Sequence, residues 1–261
     1  MTNTQVTLVQ IDNYGPWTVT PEPRREPDLQ ALQATLFADL AELIGNRDGY
    51  VFYTRFDNMI AVTNGIDMDA HATIQESIGN RYPITVSMGV GVDTTPATAL
   101  EAATERLQSA GSAQEADRIE VLSGAPIAPA DRTEDDVQIA HFDVNDATGK
   151  YTDELHAFDS LVTIERGYVS LAAHLREAYD SLAFFVGGDN IIAVTRDLRP
   201  EQYEAALDQV QADVGIDLKV GVGQDRSAAA AGMQAKHALE ECRDNGTDVE
   251  FARPVLASQD D

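Results

Sequence analysis

The residues best suited to chemistry in this sequence are two pairs of aspartates. Asp12 follows the apolar run Val6–Ile11, and Asp57 lies in the short polar stretch Arg55–Asn58 between two further apolar runs. The arrangement returns as Asp143, after Val137–Phe142, and Asp189, in Gly187-Gly188-Asp189-Asn190. From Asp57 to Thr63 and from Asp189 to Thr195 a single position differs, Met59 against Ile191. Two carboxylates brought together repel each other unless a cation lies between them. Hard oxygen ligands with few His or Cys favour Mg²⁺ over zinc. With a polyphosphate present, two such cations roughly 4 Å apart clamp the attacking and leaving oxygens of a phosphoryl transfer. Taken singly, each aspartate also fits an ordinary turn cap; their recurrence as a pair favours the metal reading.

To position these carboxylates the chain needs strands that end beside each other. Val6–Ile11 reads as a strand followed by a loop through Asp12-Asn13-Tyr14-Gly15-Pro16 and the Pro21–Pro27 segment. Helical spacing of Leu29, Leu32, Leu36, Phe37, Leu40, Leu43 and Ile44 predicts a helix from about Asp28, with Gly45 as its C-cap. The hairpin at Asp57 follows, then a weaker helix over Asp67–Ile78. Ile84–Val92 is a strand whose Gly89 and Gly91 permit close backbone approach, and a further helix runs from about Pro96 to Ala110. This order is that of a ferredoxin-like α+β fold, an antiparallel sheet with helices on one face. Its first and third strands are central neighbours, which brings Asp12 and Asp57 to one edge.

The same order recurs downstream. Val137–Asp143 answers Val9–Asp12, a helix over about Thr152–Tyr179 answers the first helix, and Val220–Gly223 answers Met88–Gly91. Asp12 and Asp143 stand 131 positions apart, and the pairs Asp57–Asp189 and Gly89–Gly221 each stand 132 apart. A near-constant offset across separated motifs marks an internal duplication. The expected organisation is a first repeat over 1–122, a linker over 123–136 rich in Ala, Pro, Gly and acids, and a second repeat over 137–261.

Composition limits the partners. With 261 residues, 43% of them hydrophobic, the chain can build real cores. No apolar run approaches the roughly 20 residues of a membrane span. The start Met1–Gln5 lacks the basic and apolar blocks of a signal peptide. The lone Cys242 excludes an intramolecular disulfide and a multi-cysteine zinc cage. A cytoplasmic location is expected. The net charge of −26, from 44 acidic against 18 basic residues, repels nucleic acid and anionic membranes, so neither is an expected partner. Only Lys150, Lys219 and Lys236 are lysines, an acid-rich, lysine-poor balance that fits work in concentrated salt, where self-repulsion is screened. An anionic substrate then needs cations or arginine. Arg24, Arg25 and Arg55 are candidates, Arg55 the best placed beside Asp57, with surface ion pairs as the alternative. Tyr14 and Trp17 either stack on a base or anchor their loop. The five histidines show no metal-ligand spacing.

The aspartate pair on this fold resembles the palm domain of family A DNA polymerases, class III nucleotidyl cyclases and diguanylate cyclases. Gly187-Gly188-Asp189 is similar to the diguanylate cyclase signature, but Asn190-Ile191 stands where that signature has an acidic residue and an aromatic. A resemblance over nearly the whole chain is to archaeal GTP cyclohydrolase III. It is carried by Gln10–Pro21, Phe52–Asn58, Asn80-Arg81-Tyr82-Pro83, Gly111-Ser112-Ala113-Gln114 and Gly187–Asn190. The resemblance implies a hydrolase that opens the guanine imidazole ring of GTP and releases pyrophosphate. The product would be a formamidopyrimidine ribonucleotide monophosphate, a flavin and deazaflavin precursor. It further implies Mg²⁺, activation by K⁺ or another monovalent cation, and a homo-oligomer, a tetramer. By the same resemblance Asp12 and Asp57, with Ile11, make the metal site, and Asn13, Tyr14 and Gly15 form the loop over the triphosphate. Arg55 and Asn58 join them as substrate-binding candidates. The longer, more distinctive Asp12 loop places the site in the first repeat. Asp143, Asp189, Gly188 and Asn190 are the second-repeat candidates, as scaffold, guanine-contacting wall or second nucleotide site. A nucleotidyl or diguanylate cyclase, or a GTP-binding regulatory module without turnover, are the alternatives.

Overall fold

Alternating apolar residues in the first strand, β1 (Thr4–Ile11), place Val9 and Ile11 on one sheet face and Leu8 and Gln10 on the other. The computed structural model describes residues 3–115, 120–133 and 137–252. Met1 and Thr2, 134–136 of the expected linker and 253–261 of the second repeat lie outside the described residues. The first repeat continues through α1 (Tyr14–Val19), α2 (Glu26–Gly45), β2 (Tyr50–Tyr53), β3 (Asn58–Val62), α3 (Met68–Arg81), β4 (Val86–Asp93), α4 (Pro96–Ser109) and β5 (Leu122–Gly124). The second comprises β6 (Val137–Val144), α5 (Ala157–Tyr179), β7 (Leu182–Gly187), β8 (Asn190–Thr195), α6 (Pro200–Val214), β9 (Leu218–Asp225), α7 (Ala228–Asn245) and β10 (Val249–Phe251). The fold is α+β, with sheets ordered β2-β3-β1-β4-β5 and β7-β8-β6-β9-β10.

Two details depart from the sequence reading. The stretch after Asp12, read as loop, contains the short helix α1, entered through Asn13 in the left-handed region at φ 51°. The long helix of the second repeat begins at Ala157, behind a π-helical turn at Thr148–Thr152. In addition, the start of the expected linker is packed: β5 pairs parallel to β4, Ile127 is buried, and its N–H donates to Gln5 Oε1 at 2.8 Å.

Helices cover both faces of each sheet, which corrects the one-face expectation. Leu36 and Leu40 of α2 and Ile74 and Ile78 of α3 pack with Val9, Ile11, Met59 and Met88. Gly89 and Gly91 point the other way, where a methyl group would overlap the carbonyls of Ala103 and Ala99 on α4. Gly221 and Gly223 make the same room for α7 at Ala235 and Ala231. The parallel pairing of β4 and β5 requires a crossover, and α4 makes it on the free face.

Those second faces join the repeats. Val6, Phe52, Ile60 and Ala99 share a core with Ile139, Phe184, Ala231 and Ala235, and the Phe52 and Phe184 rings stack at 4.3 Å. The contact is nearly twofold symmetric: Ala97 N–H donates to the Asp180 carbonyl and Ala229 N–H to that of Asp48, each at 3.0 Å.

Candidate active site

β1 and β3 bring the first carboxylate pair together. Gln10 pairs with Asn58 in the antiparallel ladder, and the next bond runs from Ile11 N–H to the Asp57 carbonyl at 3.0 Å. Asp57 therefore stands across from Ile11, one residue from Asp12. Asp12 is 4% exposed, and β4 with its lead-in fixes its carboxylate: Thr85 donates to Oδ2 at 2.9 Å and Ser87 to Oδ1 at 2.6 Å. Both hydroxyls were missed in the sequence, although their alternation toward Ile11–Asp12 was available. Arg55 Nη2 reaches Asp57 Oδ2 at 3.3 Å from an exposed position.

Two acceptors here are buried without a hydrogen-bond partner, Asp57 Oδ1 and Asn13 Oδ1. A buried oxygen left unpaired costs about 1–3 kcal/mol, and a hard cation is a natural partner for it. Among the described residues no three His, Cys, Asp or Glu side chains form a ligand group. A cation would thus rest on Asp12, Asp57, an amide or backbone oxygen and the substrate, the usual pattern for Mg²⁺. The Ile11 side chain is buried in the core, leaving only its carbonyl for that role.

The loop expected over the triphosphate is held by the stretch after α4. Asn13 N–H donates to the Ala113 carbonyl and Gly15 N–H to Gln114 Oε1 at 2.9 Å, so a phosphate reaches those donors only by displacing them. Tyr14 receives a bond from Gln33 at 2.6 Å, and burial raises its pKa. Trp17 stacks on Tyr14 and lies under the Arg24 guanidinium, 3.8 Å from it, so both aromatics anchor the loop. Arg25 is engaged by Asp28 at 2.7 Å. Asp12, Asn13 and Trp17 line a cavity of about 270 Å³ with Tyr82, whose hydroxyl bonds Asp39; burial, then that bond, pushes its pKa to about 12. A second cavity, about 470 Å³, opens on the α4 face and is lined by Gln10, Arg55, Asn58 and Gly111 among others.

The second repeat does not reproduce this pair. Asp143 pairs with Asn190 as Gln10 does with Asn58, and Asn145 N–H donates to the Asp217 carbonyl at 2.8 Å as Asp12 N–H does to that of Thr85 at 3.0 Å. Asp146 takes the left-handed position of Asn13, with φ 53°. The residue in Asp12's place is therefore Asn145, and Asp143 answers Gln10. A slip of two residues keeps every side chain on its own face, so alternation alone could not detect it. Asp143 is salt-bridged by Arg243 at 2.9 Å and Lys219 at 3.6 Å. Burial and then the charge of Asp143 raise the Asp189 pKa. Gly187 and Gly188 both take positive φ in the hairpin, and Asn190 bonds His141 at 2.9 Å and Asp189 at 3.1 Å.

No helix among the described residues is long and apolar enough to cross a membrane. A family model described as GTP cyclohydrolase III matches residues 6–254. The chain is 68% identical to GTP cyclohydrolase III of Natronomonas pharaonis, over 97% of this chain and 100% of that one. It is 65% identical to GTP cyclohydrolase III 1 of Halobacterium salinarum, over 96% and 98%. Among solved structures, the GGDEF domain of DgcB from Caulobacter crescentus covers 44% of this chain and 77% of its own, at 15% identity and a TM-score of 0.38. With that match across both repeats, the chain belongs to the GTP cyclohydrolase III family.

Proposed function

We propose that this chain opens the guanine imidazole ring of GTP by hydrolysis and removes the two distal phosphates, at the first-repeat site. In a member of this family, the observation that carries the reading is the pair of unpartnered buried oxygens, Asn13 Oδ1 and Asp57 Oδ1, beside the hydroxyl-fixed Asp12. Mg²⁺ held by Asp12, Asp57 and the Ile11 carbonyl would neutralise the triphosphate and lower the pKa of a bound water. Thr85 and Ser87 lock the Asp12 rotamer, so no reorganisation is needed on binding. Arg55, exposed beside Asp57, meets phosphate oxygens from the solvent side. Ring opening adds one water across the C8–N9 bond, leaving a formyl group on N7, and a second water cleaves at phosphorus. Monovalent-cation activation and assembly into a homo-oligomer belong to the same reading.

The test is to incubate the protein with GTP, Mg²⁺ and molar KCl and to weigh the products. A nucleotide monophosphate heavier than GMP by one water supports the reading. A cyclic guanine nucleotide makes the chain a cyclase, and unchanged GTP makes it a binding module. A phosphate assay with and without pyrophosphatase shows whether the distal phosphates leave as pyrophosphate or singly.

A further inference from the structure

We infer that a cavity at the junction of the two repeats, between α5, β7 and the end of β2, binds a planar nitrogen heterocycle that is neutral or cationic and carries no phosphate. Its volume is about 550 Å³, within the range of small-molecule sites (roughly 300–1,000 Å³). Leu161, Val169 and Phe185 give it apolar walls suited to a flat ring. Its polar groups are Glu165 and Tyr168 from α5 and Tyr53 from β2. The spacing of Leu161, Glu165 and Tyr168 puts all three on one face of the helix.

These polar groups are acceptors. Tyr168 donates to the Ala183 carbonyl at 3.4 Å, which leaves the lone pairs of its oxygen available. Burial, then the nearby Tyr53, raises the Tyr168 pKa, so the phenol keeps its proton. The Tyr53 hydroxyl and the Glu165 carboxylate make no hydrogen bond or ion pair among the described residues. No lysine or arginine lines the cavity, so a phosphate gains no partner there. A ring with N–H or amino donors, or with positive charge, satisfies all three groups.

The first repeat supplies an independent observation. Gly167, Leu171 and Leu175 are buried on α5 as Leu36, Leu40 and Ile44 are on α2, an offset of 131. At that offset Gln30 answers Leu161, Ala34 answers Glu165 and Ala38 answers Val169. Each helix also packs one ring on its edge strand, Phe37 on Tyr53 at 5.3 Å and Tyr168 on Phe185 at 6.1 Å. The ring pair is thus shared scaffold, while the carboxylate and the apolar rim belong to the second helix alone. Packing by itself needs no carboxylate beside two phenols.

An occupant touches the hairpin that carries Asp57. Thr54 lines this cavity and the one beside Arg55 and Asn58, and its Oγ1 donates to the Asn58 carbonyl at 2.8 Å. Tyr53 stacks on Phe56, whose left-handed backbone shapes the turn. Occupancy therefore bears on the placing of Asp57; only this coupling rests on the reading of GTP as substrate.

The probe is proflavine, a flat tricyclic cation with two amino groups, titrated by fluorescence in molar KCl so that general attraction to the acidic surface is screened. Wild type is expected to bind one equivalent saturably. Glu165→Gln, which keeps volume, is expected to weaken binding about fivefold. Val169→Arg, which sets a cation at a rim position 61% exposed, is expected to weaken it about tenfold. Glu177→Gln, exposed on the same helix outside the cavity, should bind as wild type does. Circular dichroism checks each fold. Absence of saturable binding in wild type, or equal affinity in all the folded variants, overturns the inference. So does sedimentation showing an oligomer that Val169→Arg dissociates, because a second copy then covers the groove. Turnover of GTP by wild type is expected to shift about twofold at saturating proflavine, and an unchanged rate overturns the coupling to the hairpin. Absence of ring-opened product with binding intact removes the GTP reading and leaves this site standing.

Discussion

The two repeats share a scaffold and differ where chemistry would occur. Each sheet has the same strand order, the same glycine pair under its crossover helix, and the same buried glutamine bonded into the following turn. Gln5 Nε2 reaches the Ile66 carbonyl at 2.9 Å, and Gln138 Nε2 reaches that of Leu198 at 3.2 Å. At the strand ends the likeness stops. The first repeat has Asp12 on two hydroxyls with unpartnered oxygens alongside; the second has Asn145 in that place. Ser87 and Gly111 in one correspond to Lys219 and Arg243 in the other, both salt-bridged to Asp143. The first-repeat carboxylates are held by two hydroxyls and the exposed Arg55, whereas Asp143 is neutralised by Lys219 and Arg243. The two repeats keep the same packing and differ in the polar residues at their strand ends.

The strongest way to break this contrast is to remove carboxylates one repeat at a time. Asp12→Asn and Asp57→Asn are each expected to lower turnover at least about 100-fold with the fold intact. Asp143→Asn is expected to leave turnover within a few-fold while costing about 2 kcal/mol in urea unfolding, because it removes the carboxylate that faces Lys219, whereas Arg243 keeps Glu240. Loss of turnover in a folded Asp143→Asn protein would move the site out of the first repeat.

A second pair of substitutions tests the shared scaffold. Gly91→Ala and Gly223→Ala both drive a methyl into helix backbone and are expected to destabilise by similar amounts, about 2–3 kcal/mol. A large effect in one repeat alone would mean that the scaffolds are less alike than their geometry.

Acid separates the repeats more gently. His71 is buried, accepting or donating at Thr7 Oγ1 across 2.8 Å, and burial lowers its pKa; at the corresponding position Tyr203 occupies the second repeat. The neutral imidazole is the form that the fold favours. Its stabilisation is present above the unfolded value of 6.5 and is lost as pH falls through the lower folded value. One such group contributes at most about 1.4 kcal/mol per pH unit. His71→Gln should flatten the fall in stability between pH 7 and 5, with His141, shifted the same way by burial, leaving a residual slope.

The smallest effect is expected in the hairpin. Phe56 adopts φ 62° where the second repeat has Gly188 at φ 66°, and its ring stacks on Tyr53 at 4.7 Å. Phe56→Gly relieves about 1–2 kcal/mol of left-handed strain and forfeits a stack of about 0.5–1.5 kcal/mol. The melting temperature should hardly move.

Much of this was present in the order of residues. The ferredoxin-like order, the Asp57 hairpin and the close-approach glycines follow from patterns within a few residues of each other, and the duplication follows from matching motifs 131 or 132 positions apart. The helix over 26–45 and the strand around Gly89 were legible because their periodicities are long and regular. Asn13 was named for its place in the loop, but nothing local announced its left-handed backbone or its unpartnered oxygen. Gln114 was quoted in a motif without a role, since its partner Gly15 lies 99 residues away.

The sequence by itself determined the elements, their repetition and the placing of acidic residues at strand ends, because helix and strand periodicity are local properties. Only the tertiary structure decided which residue of the second repeat stands where Asp12 does. Side chains alternate with period two, so pairings two residues apart bury the same faces and differ only in long-range hydrogen bonds. The bond from Asn145 to Asp217 and the pairing of Asp143 with Asn190 settle that register, and with it the difference between the two repeats. The face chosen by α4 was likewise fixed by contacts across the chain, where the glycines of β4 and the apolar surface of the other repeat meet.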